Sequence, residues 1–97
     1  MPTYVLLMKI TDQGAKDIKG APKRIEEAIK GFQAVGGKLQ CFYAVTGEYD
    51  YLAIGECPSD EIAMTFGLGL ASRGNVRLTT LKAFTKEEFA NIVSKLP

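Results

Sequence analysis

The apolar residues near the start of the chain follow the two-residue period of a β-strand, and both faces of that strand are apolar. Between residues 3 and 10, Val5 and Leu7 point to one side, while Leu6 and Met8 point to the other. A strand that is apolar on both faces is normally covered on both faces. The pattern therefore predicts a central strand, with helices on one side of its sheet and a different layer on the other.

A helix is predicted from Pro22, which suits a first helical position, to Val35. The glycine pair at 36–37 is typical of a left-handed helix end. Before this helix, Thr11 or Asp12 can cap a short helical turn. The apolar stripe of the helix keeps the 3, 4, 7 spacing of one buried face and consists of Ile25, Ala28, Ile29, Phe32 and Val35.

The next two strands are predicted to form a hairpin that runs from Leu39 to Thr46 and returns from Asp50 to Glu56. The turn is expected at Gly47-Glu48, because glycine adopts a positive φ at little cost. We also expect Phe42 and Ala44 to share a sheet face with Val5 and Leu7.

The second half of the chain repeats the helix-then-strand order. Ser59 is a plausible N-cap for a helix that closes at residues 73–75, and Gly67 and Gly69 within it are interpreted as allowing close packing. A fourth strand is predicted over residues 76–84. Thr85-Lys86-Glu87-Glu88 is a capping box for a last helix. Buried positions are predicted at Ile62, Ala63, Phe66 and Leu70 in the first of these helices, and at Phe89, Ile92, Val93 and Leu96 in the last.

The order strand, helix, strand, strand, helix, strand predicts a ferredoxin-like α+β fold with a four-stranded antiparallel sheet and an appended helix. Right-handed crossovers place both helices of the βαββαβ unit on one face of the sheet. The other face would then be an apolar patch too large for a monomer. We therefore expect a homo-oligomer, at least a dimer, in which two sheets pair face to face as a dimeric α+β barrel.

Composition is consistent with one globular domain over residues 1–97, since 46% of the residues are hydrophobic and 24% are charged. The net charge of +1 is spread along the chain without a basic block, which gives no support for binding nucleic acid or an anionic membrane. The chain begins like a strand and not like a signal peptide, so a cytoplasmic location is expected.

The two cysteines, Cys41 and Cys57, are nearly symmetric about Tyr49, which would place them roughly opposite each other in the hairpin. A disulfide is conceivable, but buried and reduced cysteines are favoured for a cytoplasmic protein. No zinc-binding spacing is present.

The corner Gly47-Glu48-Tyr49-Asp50-Tyr51 resembles the motif of the GYD domain family. The similarity extends over nearly the whole chain, and the resemblance implies a dimeric α+β barrel but no particular reaction. Residues 45–52 are also similar to the hairpin of the effector-binding domains of leucine-responsive, amino-acid-sensing transcription regulators, which bind small effectors between subunits. This chain has no room for their DNA-binding helices. The other matching segments are Pro2-Thr3-Tyr4-Val5, Thr11-Asp12-Gln13-Gly14, Ala21-Pro22-Lys23-Arg24 and Gly74-Asn75-Val76-Arg77.

Histidine is absent from the chain, which excludes histidine-activated nucleophiles, histidine metal ligands and histidine acid–base chemistry. Glu48 and Asp50 are only two carboxylates in alternating orientation, too few for a metal site. We therefore predict neither a metal nor a cofactor.

Asp50 is the most informative candidate for a binding site, because it begins an apolar strand. In one reading, Asp50 with Lys9 or Arg77 binds a polar ligand at the mouth of the barrel, between tyrosine walls. In the other, which we favour, the Asp50 carboxylate accepts backbone amides at the turn and the tyrosines pack in a dimer seam. The candidate ligand-binding or interface residues are Lys9, Tyr43, Gly47, Tyr49, Asp50, Tyr51 and Arg77.

Three functions are compatible with these features. The first is an oligomeric module that binds or senses a small polar or aromatic molecule. The second is a cofactor-independent enzyme of the isomerase or monooxygenase type, although a fold alone is weak support for an activity. The third is a purely structural oligomer held together by the corner motif.

Overall fold

The computed structural model describes residues 1–97, and its central feature is a four-stranded antiparallel sheet. The elements in chain order are β1 (Thr3–Ile10), α1 (Asp12–Lys16), a 3-10 helix (Ile18–Gly20), α2 (Ala21–Ala34), β2 (Lys38–Ala44), β3 (Tyr51–Glu56), α3 (Asp60–Ser72), β4 (Val76–Ala83) and α4 (Lys86–Ser94). The strand order in the sheet is β2-β3-β1-β4. The helices α2 and α3 lie on one side of the sheet, so the predicted ferredoxin-like α+β fold is confirmed.

The alternation along β3 shows which side of the sheet forms the core. Tyr51, Ala53 and Gly55 are buried beneath the helices, whereas the residues between them are only half-buried. Neighbouring β1 contributes Tyr4 and Met8 to the same helix-covered side. We call the opposite side the outer face of the sheet.

A register shift in β2 corrects the predicted orientation of Phe42 and Ala44. The pairing moves from Leu39 opposite Gly55 to Cys41 opposite Ile54, so one extra residue stands between them. Phe42 then packs beneath the helices with the buried cluster that contains Met8. A one-residue insertion exchanges the two faces of a strand beyond it, and the sequence does not reveal the bulge.

The helix N-termini agree with their sequence signals. The side chains of Thr11 and Ser59 accept the backbone N–H of the residue three positions later, at the starts of α1 and α3. At α4, Thr85 and Glu88 form both hydrogen bonds of the predicted capping box. Gly36 ends α2 with a φ of +91°, as predicted.

Two predicted apolar stripes are less buried than expected. Val35 lies just beyond α2 and is exposed. The stripe of α4 is also exposed, because this helix extends from the end of β4 and makes few contacts with the rest of the chain. Within a single chain, the helix therefore has no layer to cover its apolar residues, which are Phe89, Ile92, Val93 and Leu96.

The glycines of α3 are not explained by close packing within the chain. A Cβ at Gly67 would make only an ordinary contact with Thr80 Oγ1, at 3.8 Å, and a Cβ at Gly69 would meet nothing within 4 Å. Gly67 is buried where α3 packs on β4, although alanine would also fit there. Gly69 is exposed, so the predicted close packing is wrong for Gly69 within the single chain.

Both cysteine thiols are free. Cys41 lies opposite Ile54, while Cys57 follows β3 and is fully buried beside Tyr4 and Phe32. The predicted opposition fails because the corner spans residues 45–50, so Ala44 pairs with Tyr51 and Cys41 falls opposite Ile54. None of the helices combines the length and apolar character needed to cross a bilayer.

Candidate functional site

The corner between β2 and β3 is a six-residue loop, and Gly47 at its tip has a φ of +107°. This conformation is costly for any residue with a Cβ, so the predicted requirement for glycine is confirmed. The loop is closed by a hydrogen bond of 2.9 Å from the Val45 N–H to the Asp50 carbonyl oxygen.

Asp50 joins the corner to β1 through both its backbone and its side chain. Its N–H donates to the Met8 carbonyl oxygen at 2.8 Å, and its Oδ2 accepts the Ile10 N–H at 2.8 Å. The carboxylate thus continues the β1–β3 ladder beyond Tyr51, where regular pairing ends. No ion pair links Asp50 to Lys9 or Arg77. Its carboxylate accepts a backbone amide, as in the favoured reading, but that amide belongs to Ile10 of β1 and not to the turn.

Lys9 lies on the outer face and interacts with two other corner residues. Its Nζ is 3.6 Å from Glu48 Oε1 and 5.3 Å from the ring centroid of Tyr49. Both members of the ion pair are largely exposed, so the pair adds little stability. Arg77 is directly opposite Lys9 in the β1–β4 register, which brings two cationic residues together at one end of this face.

The predicted tyrosines are divided between the two sides of the sheet. Tyr43 is 62% exposed, on the outer face. Tyr51 is only 9% exposed beneath the helices, where its ring is 5.4 Å from that of Phe42. The structure therefore groups Lys9, Tyr49 and Arg77 near one end of the outer face, whereas Tyr51 lines the interior.

The centre of the outer face is aliphatic and is not covered by any helix of the chain. Alternation and register place Val5 and Leu7 of β1 beside Leu52 and Ile54 of β3. Leu81 of β4, opposite Val5, extends the patch and is 46% exposed. These five side chains form a continuous apolar surface of the kind that normally lies in an interface.

A polar cluster beneath the helices was not identified from the sequence. The Tyr4 hydroxyl donates to Asp60 Oδ1, and Lys82 Nζ is 3.3 Å from Asp60 Oδ2. The cluster lies at a groove between α3 and β4 that is lined largely by apolar residues, among them Met64 and Leu68. The sequence signal that could have indicated this cluster is Tyr4 itself, a tyrosine among the aliphatic residues of a central strand, because a buried hydroxyl usually has a hydrogen-bond partner.

Burial and the hydrogen bond to Asp60 raise the pKa of Tyr4 to about 12. The same hydrogen bond, together with Lys82, lowers the pKa of Asp60. Both effects favour a neutral tyrosine that donates to an ionised aspartate, so the cluster is a stable structural pair at neutral pH.

Residues 11–14 and 74–77, two of the segments that match the family, meet at the end of the sheet near the corner. Thr11 donates its N–H to the Asn75 carbonyl oxygen at 3.1 Å and its hydroxyl to the Gly74 carbonyl oxygen. Gln13 Nε2 donates to the Arg73 carbonyl oxygen at 2.9 Å. Gly14 lies so close to the backbone of Asn75 that a Cβ on Gly14 would be 2.3 Å from the Asn75 carbonyl oxygen. The motif residues therefore hold the start of β4 against the end of β1.

Comparison with known proteins agrees with this arrangement. A protein of Thermus thermophilus named glutamine synthetase and cystathionine beta-lyase binding protein is 33% identical over 97 residues, covering 99% of each chain. The crystal structure of FFRP-DM1 has a TM-score of 0.60 at 19% identity, covering 87% of this chain and all of that one, and it supports the fold alone.

The family model described as GYD domain matches residues 4–93, which includes every strand, the corner motif and the meeting of the α1 and β4 segments. Together with the full-length relative, this match confirms the resemblance. The chain belongs to the GYD domain family.

Proposed function

We propose that this chain is a binding module that works as a homo-oligomer and recognises a partner enzyme of amino-acid metabolism. The observation that carries the proposal is the uncovered aliphatic patch formed by Val5, Leu7, Leu52, Ile54 and Leu81. Burying such a patch against a second copy removes apolar surface from water at about 25 cal/mol per Å². The cost of leaving it exposed favours face-to-face pairing of two sheets.

The geometry of the candidate residues supports binding over catalysis. Asp50 is occupied by the backbone of β1, Tyr51 is on the helix side, and Lys9 is paired with Glu48. No nucleophile lies within hydrogen-bonding distance of a base in an enclosed space. The full-length relative is itself named for binding two enzymes, and we extend that kind of partner to this chain.

The oligomer is tested by replacing an aliphatic residue of the patch with a charged one. Ile54→Lys places a cation in the centre of the patch, on a side chain that already faces outward. Sedimentation velocity over a concentration series is expected to give a dimer or larger assembly for the wild type and a folded monomer for this variant. Val35→Lys is the matched control, because Val35 is also apolar and partly exposed but lies beyond the end of α2.

The partner is tested separately by biolayer interferometry with immobilised wild-type protein and purified glutamine synthetase or cystathionine β-lyase. Saturable binding to either enzyme supports the proposal. A monomeric wild type would contradict the proposed pairing of two sheets. A well-assembled oligomer that binds neither enzyme would contradict the proposed recognition of an enzyme partner.

A second candidate function is the binding of a small anion between the paired sheets. The adjacent cations Lys9 and Arg77 favour it, with Tyr43 and Tyr49 as flanking rings and the loop held by Gly47 and Asp50. Arg77→Gln is expected to abolish such binding without altering assembly, whereas retention of anion binding in this variant would exclude the site.

A further inference from the structure

A separate internal space lies between the helices and the middle of the sheet. Helix α2 packs closest to β2 and α3 packs closest to β4, so a gap remains above the central strands β1 and β3. This gap is a cavity of about 120 Å³ that is partly open to solvent. For comparison, an engineered apolar cavity of about 150 Å³ holds benzene. The space is therefore large enough for a small aryl or branched alkyl group.

The cavity has one apolar end and one polar end. Phe32, Leu39 and Phe66 line the part near Tyr4 and Gly55, at the end of the sheet where β1 begins. Arg73, Asn75 and Arg24 lie at the opposite end, where α2 and β4 begin and β1 and α3 end. No aspartate or glutamate is among the lining residues. An apolar body with a single anionic end matches this distribution.

Two polar side chains at that end are free to receive a ligand. The guanidinium of Arg73 takes part in none of the chain's ion pairs, whereas Arg24 is held by Asp17 at 3.0 Å. The Tyr51 side chain is nine-tenths buried, yet its hydroxyl forms no side-chain hydrogen bond and is not itself fully buried, so it is accessible to a ligand. Tyr51 is the first residue of β3 and follows Asp50, whose carboxylate accepts the N–H of Ile10 at the end of β1. Because α3 also ends at that end of the sheet, Tyr51 lies at the same end of the cavity as Arg73.

We propose that this cavity between α2, α3 and the sheet is a binding site for a small hydrophobic monocarboxylate, with its apolar body beneath the helices and its carboxylate at Arg73 and Tyr51. An α-amino acid of the same size is disfavoured, because the lining offers no carboxylate to pair with its ammonium group. The site lies on the side of the sheet opposite the proposed pairing face and does not depend on the proposed function.

The test compares three probes of similar size on the full chain: 4-methylpentanoate, its amide and L-leucine. Isothermal titration is expected to show one saturable site per chain for the acid. The amide is expected to bind about ten-fold more weakly or worse, because a hydrogen bond to a charged group contributes about 1.5–3 kcal/mol. L-leucine is expected to bind more weakly than the acid.

Variants locate the site. Ala28→Leu adds three carbons at a lining position of α2 and is expected to abolish binding, while Ala34→Leu makes the same change at an exposed position of that helix and is expected to leave it intact. Arg73→Gln is expected to remove most of the preference for the acid over the amide. Lys30→Gln, which removes a positive charge at an exposed position of α2 outside the lining, is expected to change nothing.

Three results would overturn the proposal. These are the absence of saturable acid binding at millimolar concentration, equal affinity for acid and amide, and unchanged binding in Ala28→Leu. Should Ala28→Leu fail to fold, methyl NMR of the wild type decides instead. Acid-induced shifts are then expected at Ile25 and Ile29, and shifts confined to other methyl groups would contradict the site.

Discussion

At the scale of single residues, Asp50 shows how a side chain can replace a missing backbone partner. The Ile10 N–H lies beyond the last paired residue of β3, and the Asp50 carboxylate satisfies it. An unsatisfied and partly buried amide costs about 1–3 kcal/mol. The aspartate of the family motif is thus explained by the geometry of the corner.

We predict that Asp50→Ala lowers the free energy of unfolding by about 1–3 kcal/mol, because the Ile10 N–H loses its acceptor. Asp50→Asn keeps a carbonyl oxygen and is expected to cost less. Urea denaturation measures both changes. Glu48→Ala, which removes only an exposed ion pair, is the control, and a loss for Asp50→Ala no larger than for this control would show that the bond is unimportant.

The Tyr4–Asp60 pair predicts a pH dependence of stability at both ends of the scale. The pKa of Tyr4 is about 12 in the folded chain and lies near 10 in an unfolded one. Between these values the unfolded chain binds fewer protons, so stability falls as the pH rises from about 10 to about 12. The pKa of Asp60 is lowered on folding, so its contribution is lost as acid protonates it.

We therefore expect Tyr4→Phe to remove the part of the alkaline loss of stability that comes from Tyr4. Urea midpoints measured from pH 9 to 12 test this, with Tyr49→Phe as the control because Tyr49 stands at the corner, away from Asp60. Parallel curves for wild type and Tyr4→Phe would contradict the prediction. The difference between ultraviolet titrations of the folded wild type and of Tyr4→Phe should show a tyrosine ionisation near pH 12.

At the scale of the elements, the glycines divide into those that the fold requires and those that it does not. Gly14 in α1 faces the backbone of Asn75, and a methyl group there would overlap the carbonyl oxygen. Gly69 in α3 has no neighbour within 4 Å of a Cβ. Sequence alone gives both residues the same low helix propensity.

We predict opposite effects for two identical substitutions. Gly69→Ala is expected to stabilise the chain by up to about 1 kcal/mol, because alanine favours the helix. Gly14→Ala is expected to destabilise it by several-fold more than that gain, since the contact is with backbone and cannot rotate away. Thermal melts of both variants measure the difference. Destabilisation by Gly69→Ala in a concentration-dependent manner would instead place this face of α3 in an interface.

At the scale of the whole molecule, the chain leaves much apolar surface exposed for its size. Only 11 of its 97 residues are buried. The chain itself covers neither the aliphatic patch on the outer face nor the exposed stripe of α4. Such a domain gains stability by assembling.

We predict that the melting temperature rises with protein concentration, because assembly stabilises the folded state by mass action. Ile54→Lys is expected to melt at a lower temperature that no longer depends on concentration. Differential scanning fluorimetry over a hundred-fold concentration range measures both. A melting temperature of the wild type that is independent of concentration would argue against pairing.

The sequence by itself determined the elements, their order and most of their ends. Alternation in β1 and β3, the stripe of α2, and the caps at Ser59 and Thr85 are local signals that depend on residues a few positions apart. The positive φ at Gly47 follows from local sterics in the same way. The fold class followed because few topologies satisfy this order of elements.

Only the tertiary structure decided which residues meet. The bulge in β2 reversed Phe42, the pairing of β1 with the corner made the Ile10 N–H the donor to Asp50, and the packing of α3 joined Tyr4 to Asp60. The cavity beneath the helices depends on the spacing of α2 and α3 above the sheet. Each of these features is set by contacts between residues distant in the chain, whose geometry depends on register and layer spacing and is therefore not encoded in any local pattern.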